Sequence, residues 1–166
     1  LHLGLEQQDL KYMLDYFTRN EINFKNIEES LIQYKNQKNL YILTGLYDIT
    51  YFDKIKMEHF TLLLEYLKKM NFDYIFIDVN SSLNIDATFV SLVSCNKLIF
   101  IGKPDYPCIR NMSRYIDEAL KRLYIEDEQI EIIINCFDNS LITKEEIYQV
   151  FGRNDICFID YDKNII

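Results

Sequence analysis

The residues of this chain with the greatest chemical reach stand at the ends of short apolar runs. Asp78 closes Tyr74-Ile75-Phe76-Ile77, Lys103 and Asp105 follow Leu98 to Ile101, Asn135 and Asp138 follow Ile130 to Ile134, and Asp160 and Asp162 follow Ile156 to Ile159. A carboxylate in the place of Asp78 can hold a magnesium ion through water beside a bound phosphate. The amide of Asn135 offers both a donor and an acceptor, the combination that matches an adenine edge. Aspartate and asparagine also stop strands and open turns, so each of these residues, taken singly, has that plainer reading as well.

Other chemistry finds little support. The glycines Gly4, Gly45, Gly102 and Gly152 are isolated, so no G-x-x-x-x-G-K-[ST] loop exists to wrap phosphates in backbone amides. Cys95, Cys108, Cys136 and Cys157 are widely spaced, and His2 and His59 are the only imidazoles. Neither zinc binding nor a Cys/His nucleophile pair has a recognisable spacing, and the cysteines are expected to be buried, reduced thiols that pack as small hydrophobes.

The elements that must position these groups alternate. Five apolar runs, Leu40 to Leu43, Tyr74 to Ile77, Leu98 to Ile101, Ile130 to Ile134 and Ile156 to Ile159, are mostly unbroken, which suits strands covered on both faces in a parallel sheet. Between them, Met57, Phe60, Leu63, Leu64 and Leu67 repeat at helical spacing, as do Ile109, Met112, Ile116, Leu120 and Leu123 after Pro107. A third helix opens at Thr143-Lys144-Glu145-Glu146, where Thr143 and Glu146 have capping-box spacing. Leu10 to Phe17 and Ile27 to Tyr34 are weaker helical patterns. The expected fold is α/β, a three-layer sandwich on a mostly parallel sheet, and residues 1–166 are read as one domain. In such sheets ligands sit beyond the carboxyl ends of the strands, where the polar residues above would converge.

Composition narrows the function classes. The net charge is -8 and no run of Lys or Arg exceeds two, so a nucleic-acid surface is disfavoured. No apolar stretch approaches the roughly 20 residues that span a bilayer, and the first residues lack a secretory layout, so the expected compartment is the cytosol. The chain opens on Leu1 and not on Met, and is expected to be a fragment or a trimmed chain.

Read in order, these pieces resemble the MinD/ParA-type P-loop ATPases, and among them the pilus-assembly branch that includes the CpaE and TadZ proteins. Leu3-Gly4-Leu5-Glu6 resembles the stretch after the family's second strand. Asn39 to Gly45 is similar to the following strand and its exit loop, and Phe72 to Asp78 to the Walker B strand. Asp86 stands where the family often opens its next helix. Lys103-Pro104-Asp105-Tyr106-Pro107-Cys108-Ile109-Arg110-Asn111 resembles a proline-containing loop leading into a helix with Arg-Asn near its start. Ile132 to Asn135 is like the strand whose Asn borders the adenine, and Ile159 to Asp162 like the last nucleotide-edge loop.

The resemblance implies ATP and magnesium as cofactors, with Asp78 as the acid that holds the metal and positions the attacking water, Asn135 as the adenine reader and Asp162 as a nucleotide-edge contact. It assigns no role to Arg110. It further implies nucleotide-dependent homodimerisation and a part in positioning or assembling a pilus or secretion machine. The sequence departs from the pattern in Val79-Asn80-Ser81-Ser82, which replaces the usual Thr/Ser-Pro-rich switch, and in Asp160, which replaces a common Pro. The family's first strand, deviant Walker A loop, first helix and second strand would precede Leu1, so the sheet is expected to be incomplete at its N-terminal side, with apolar strand edges left unpaired.

Two readings of the same fold therefore stand beside each other: an ATP-hydrolysing domain, and a non-hydrolysing interaction module that keeps the fold. A phosphoacceptor receiver is a third, prompted by Asp78 and Lys103-Pro104. Its expected acidic pair after the first strand is missing, and one short helix replaces the helix-strand-helix that a receiver places between those two positions. DNA partitioning is disfavoured by the acidic balance, and attachment through a C-terminal amphipathic helix by the short tail after Asp162.

Overall fold

An apolar run becomes a strand only where a neighbour takes up its backbone groups, and in this computed structural model that happens in two places. The structure describes residues 16, 17, 19, 21–35, 37–44, 54–82 and 85–164. They fall into two compact units, Leu1–Ser94 and Cys95–Ile166.

In the first unit, helix α1 (Phe24–Ser30) is opened by Asn23, whose side chain accepts from the Asn26 amide at 3.1 Å. Two short strands follow, β1 (Ile32–Gln33) and β2 (Tyr41–Ile42), and they pair antiparallel. This corrects two expectations. The helical pattern from Ile27 ends at Ser30, and the run Leu40 to Leu43 supplies half of a hairpin in place of a parallel strand. The cause is the turn between them, in which the Tyr34 amide donates to Leu40 at 2.8 Å and the Leu40 amide to Gln37 at 3.1 Å.

Helix α2 (Met57–Lys69) and helix α3 (Asp86–Ser94) complete the unit. Leu63, Leu64 and Leu67 of α2 join Phe17, Ile22, Ile27 and Val90 in its core, the face that the sequence periodicity marks out. Asp86 opens α3, and its carboxylate accepts the Met57 amide at 2.9 Å, so one acid fixes the start of one helix to the start of another. Of the pattern Leu10 to Phe17 the structure describes only Tyr16 and Phe17, both helical, and the segment around Gly45 lies outside the described residues.

The second unit is a three-stranded parallel sheet, β3 (Leu98–Gly102), β4 (Ile130–Phe137) and β5 (Ile156–Asp160), in that order. Helix α4 (Tyr106–Leu123) joins β3 to β4, and helix α5 (Lys144–Phe151) joins β4 to β5. These are the parallel crossovers that unbroken apolar runs call for. Phe100 packs edge-on against Tyr115 of α4, and Phe158 against Tyr148 of α5, so both helices cover the same face. Ile130, Ile132 and Ile134 are buried there. The opposite face leaves Ile99, Ile101 and Ile159 exposed.

Local chemistry sets the helix ends. Asp105 caps α4 by accepting the Cys108 amide at 2.8 Å, with Pro107 in the first turn. Thr143 and Glu146 form the expected capping box, the Glu146 carboxylate accepting the Thr143 amide at 2.8 Å and the Thr143 hydroxyl accepting the Glu146 amide at 3.3 Å. Gly152 ends α5 at φ 67°, a conformation that costs a residue without Cβ little. The cysteines are not the buried hydrophobes expected: Cys136 and Cys157 are exposed, Cys95 and Cys108 half-buried. Cys157 sits on the sheet face away from the helices, and Cys136 in a break of the β4 ladder.

Candidate functional site

Because β3, β4 and β5 run parallel, their carboxyl ends share one rim. Lys103 follows β3, Asn135 lies near the end of β4, and Asp160 ends β5 with Asp162 two residues beyond. Within the second unit the structure thus gathers the sequence candidates at one edge, as the parallel reading requires.

The rim has an irregularity at its centre. Ile134 pairs with Phe158, yet the next pair is Phe137 with Asp160, so β4 carries one residue more than β5 over this stretch. The surplus is absorbed at Cys136, which adopts φ 57° in the left-handed region. Asn135 Oδ1 accepts the Cys136 amide at 2.9 Å and holds that geometry. The carboxamide nitrogen of Asn135 has no partner among the described residues and faces solvent as a free donor. Beyond the bulge, the Tyr161 amide donates to Phe137 at 2.9 Å and resumes the link between the strands.

Several of the other acids at the rim are already engaged. The Asp138 carboxylate accepts the Ser140 hydroxyl at 2.7 Å and the Ser140 amide at 3.0 Å, contacts that hold its pKa below the ordinary carboxylate value. Asp162 Oδ1 accepts from the Asn164 amide at 2.8 Å and from its side chain at 2.9 Å, closing a local turn. Asp105 is spent on the cap of α4. Lys144 lies over the rings of Phe137 at 5.3 Å and Phe158 at 4.8 Å, beside a shallow cleft of about 190 Å³ lined by Phe137, Asn139, Lys144 and Glu145. Clefts that enclose a nucleotide-sized ligand are larger, on the order of 300 Å³ or more. Arg110 is exposed on the first turns of α4.

Asp78 belongs to the first unit. It is exposed and makes no hydrogen bond or ion pair among the described residues. The run before it lies in no ladder among the described residues, contrary to its reading as a strand: Tyr74 is 81% exposed and Phe76 83%. A strand needs a neighbour, and the backbone of Tyr74 to Val79 has none among the described residues. After Val79 the chain folds onto Asn80, whose Oδ1 accepts the Ser82 amide at 2.9 Å and whose carbonyl accepts the buried Thr88 hydroxyl at 3.2 Å.

The groups present fit a nucleotide only in part. Asn135 can meet a base edge, and an unpaired carboxylate such as Asp78 can meet a hydrated cation at one point. Among the described residues, however, no three His, Cys, Asp or Glu side chains cluster to hold a metal ion. The glycines offer no cradle either. A Cβ on Gly102 would stand 2.9 Å from Met112 Cε and 3.4 Å from Cys108 Sγ, so this glycine serves the packing of α4 on β3, while Gly152 is a helix cap. Gly4 and Gly45 lie outside the described residues. The described residues do not fit a triphosphate, and no chemical step is derived through one.

Two features of the rim escape a reading of the sequence. The bulge at Cys136 has no signal, because the residue that takes a left-handed conformation in a bulge is commonly glycine. The Tyr106 hydroxyl, which donates to Glu146 at 2.9 Å and joins the starts of α4 and α5, spans too great a sequence distance for any local pattern.

No protein-family model and no curated protein matches the chain. Solved structures do. The chain is similar to a ParA family ATPase from Chlorobium tepidum TLS, with 22% identity and a TM-score of 0.79 over 96% of this chain and 64% of that one. It is also similar to the MinD cell division protein of Aquifex aeolicus, at 19% identity and TM-score 0.72 over 98% of this chain and 65% of that one. A chain of the MinC:MinD cell division protein complex of Aquifex aeolicus matches at 20% identity and TM-score 0.71, over 98% and 64%. At these identities the likeness shows the fold alone, the one shared by that ParA family ATPase and MinD. The chain spans less than two thirds of the length of each structure. No helix among the described residues is long and apolar enough to cross a membrane.

Proposed function

We propose that this chain carries the base-reading and acid-bearing part of an ATP-binding MinD/ParA-like domain, which dimerises on nucleotide and positions a cytoplasmic pilus or secretion machine. The observation that carries the reading is the likeness of fold over 96% of the chain to a protein described as an ATPase. The free amide nitrogen of Asn135 at the carboxyl rim supports it. In this reading both units belong to one domain, Asn135 contacts the adenine edge, Asp162 borders the nucleotide, and Asp78 holds the hydrated magnesium ion and orients water. ATP and magnesium supply the phosphoryl chemistry when bound, and the backbone cradle for the phosphates must come from outside the described residues.

A second reading, a non-hydrolysing interaction module of the same fold, is favoured by one observation. The segment after Asp78, Val79-Asn80-Ser81-Ser82, is folded onto Asn80 by the Ser82 amide and the Thr88 hydroxyl, so polar groups of Asn80 are engaged within the chain itself. Equilibrium binding of ATP with magnesium, followed by measurement of phosphate release, separates the two. Binding with release supports hydrolysis, binding without release supports the interaction module, and no binding at millimolar ATP contradicts the ATP-binding reading.

A further inference from the structure

The break in the β4 ladder has two consequences at the rim. It returns Phe137 to the helix side of the sheet, where the ring is 5% exposed and meets Phe158 edge-on at 4.9 Å. It also sets Asn135 and Cys136 together across from Ile159, because Ile134 pairs with Phe158 and Phe137 with Asp160. Asn135 follows the buried Ile134, so it stands on the face away from α4 and α5, the face on which Ile159 is 48% exposed. A polar edge and an apolar surface are therefore neighbours in the register.

Packing of Phe137 asks only for the extra residue. It does not account for the bond in which the Cys136 amide donates to Asn135 Oδ1 at 2.9 Å. In a regular strand an amide turns to a neighbouring strand, whereas in this bulge, with Cys136 at φ 57°, it is satisfied by the side chain before it. The bond decides which end of the carboxamide is which. An N–H donates only to the oxygen, so Oδ1 lies toward Cys136 and Nδ2 away from it.

We infer that Cys136 is a positioning residue: its backbone amide, held in the bulge, fixes the nitrogen and oxygen of Asn135 in one order and so makes the site prefer adenine to guanine nucleotides. The inference rests on the reading of Asn135 as the base contact. Adenine shows an acceptor, N7, beside a donor, its N6 amino group, while guanine shows two acceptors, N7 and O6. A carboxamide in fixed order matches adenine with two hydrogen bonds, Nδ2 donating to N7 and N6 donating to the remaining lone pair of Oδ1. Against guanine it sets Oδ1 against O6, two acceptors with no proton between them. A carboxamide free to turn would instead offer its amino group to N7 and O6. The bulge withholds that escape, because turning the group breaks the bond to Cys136 and aims Nδ2–H at the amide N–H.

The test is NMR titration of the full chain with ATP and, separately, with GTP, each with magnesium chloride at millimolar concentration. ATP should bind at least about tenfold more tightly than GTP. Cys136→Gly keeps both the amide and the left-handed conformation, and should keep that ratio within about threefold. Cys136→Val, whose branched side chain disfavours the conformation, should bring the ratio towards one. Asn135→Gln carries the same end group on a longer, freer arm at an exposed position and should also bring the ratio towards one, which serves where circular dichroism shows Cys136→Val unfolded. Without nucleotide, the Cys136 amide should exchange with solvent about tenfold faster in Asn135→Ala than in the unaltered chain. GTP bound as tightly as ATP, a ratio unmoved by Cys136→Val and Asn135→Gln, or a Cys136 amide indifferent to Asn135→Ala would each overturn the inference while leaving ATP binding intact. Binding of neither nucleotide would overturn both the inference and the reading on which it rests.

Discussion

Tyr106 Oη donates to Glu146 Oε1 at 2.9 Å, tying the first turn of α4 to the first turn of α5, where both helices leave the carboxyl rim of the sheet. The same carboxylate accepts the Thr143 amide and hydroxyl, so three contacts meet on one acid.

These contacts, the Thr143 amide first, then its hydroxyl and then Tyr106, hold the Glu146 pKa below the ordinary glutamate value. A depressed folded pKa gives stability that is present above the unfolded value of about 4.3 and is lost as pH falls through the folded value. Side-chain carbon NMR titration should find Glu146 below free glutamate. Thr143→Ala should return it further towards that value than Tyr106→Phe does. An equal or reversed order would contradict the hierarchy of contacts.

Arg153, 16% exposed, donates to Asp155 through Nε at 2.7 Å and Nη2 at 2.5 Å, and to Asp127 through Nη1 at 3.0 Å. The bidentate contact holds the Asp155 pKa down to about 2. Its contribution is therefore present above the unfolded aspartate value of about 3.9 and lost as pH falls towards the folded one. Arg153→Ala should lower stability in urea unfolding at neutral pH by about 1 kcal/mol and return Asp155 to ordinary titration.

Tyr124 ends α4 in the left-handed region at φ 54° while its side chain is 93% exposed, so it bears the conformational cost with little packing in return. Tyr124→Gly should raise stability by about 0.5–1 kcal/mol, after allowance for the freer unfolded chain. Cys136→Gly should act in the same direction at the bulge. Thermal unfolding of the two variants checks both, and destabilisation of Tyr124→Gly would show that its ring makes contacts that matter.

What the sequence discloses depends on how local the cause is. Thr143 and Glu146 lie three residues apart, so their capping box can be read directly, and the unbroken runs at Leu98, Ile130 and Ile156 announce buried parallel strands because burial on a sheet selects those residues. Asn135 and Asp162 follow as residues of a common rim. The run Tyr74 to Ile77 has the same composition, but whether it joins a ladder depends on a neighbouring strand that its own residues do not specify. The β1–β2 hairpin hides inside a helical pattern, and the bulge at Cys136 hides because neither Asn135 nor Cys136 is a residue that announces one.

Backbone hydrogen exchange should reflect this division. The amides of Tyr74 to Val79 should exchange fastest among the apolar runs, and those of Ile132 to Ile134 at the centre of the parallel ladder slowest. Strong, cooperative protection throughout would contradict the unpaired state of the first of these segments.

The proposal that this fold faces a nucleotide is tested most directly by NMR titration of the chain with ATP and magnesium chloride at millimolar concentration, which detects binding too weak for other methods. The account predicts chemical-shift changes at Asn135, Cys136, Asp162 and Asp78, with those at the rim reduced severalfold in Asn135→Ala. Changes confined to the amino ends of the strands, around Lys97 and Arg153, or none at all, would contradict it.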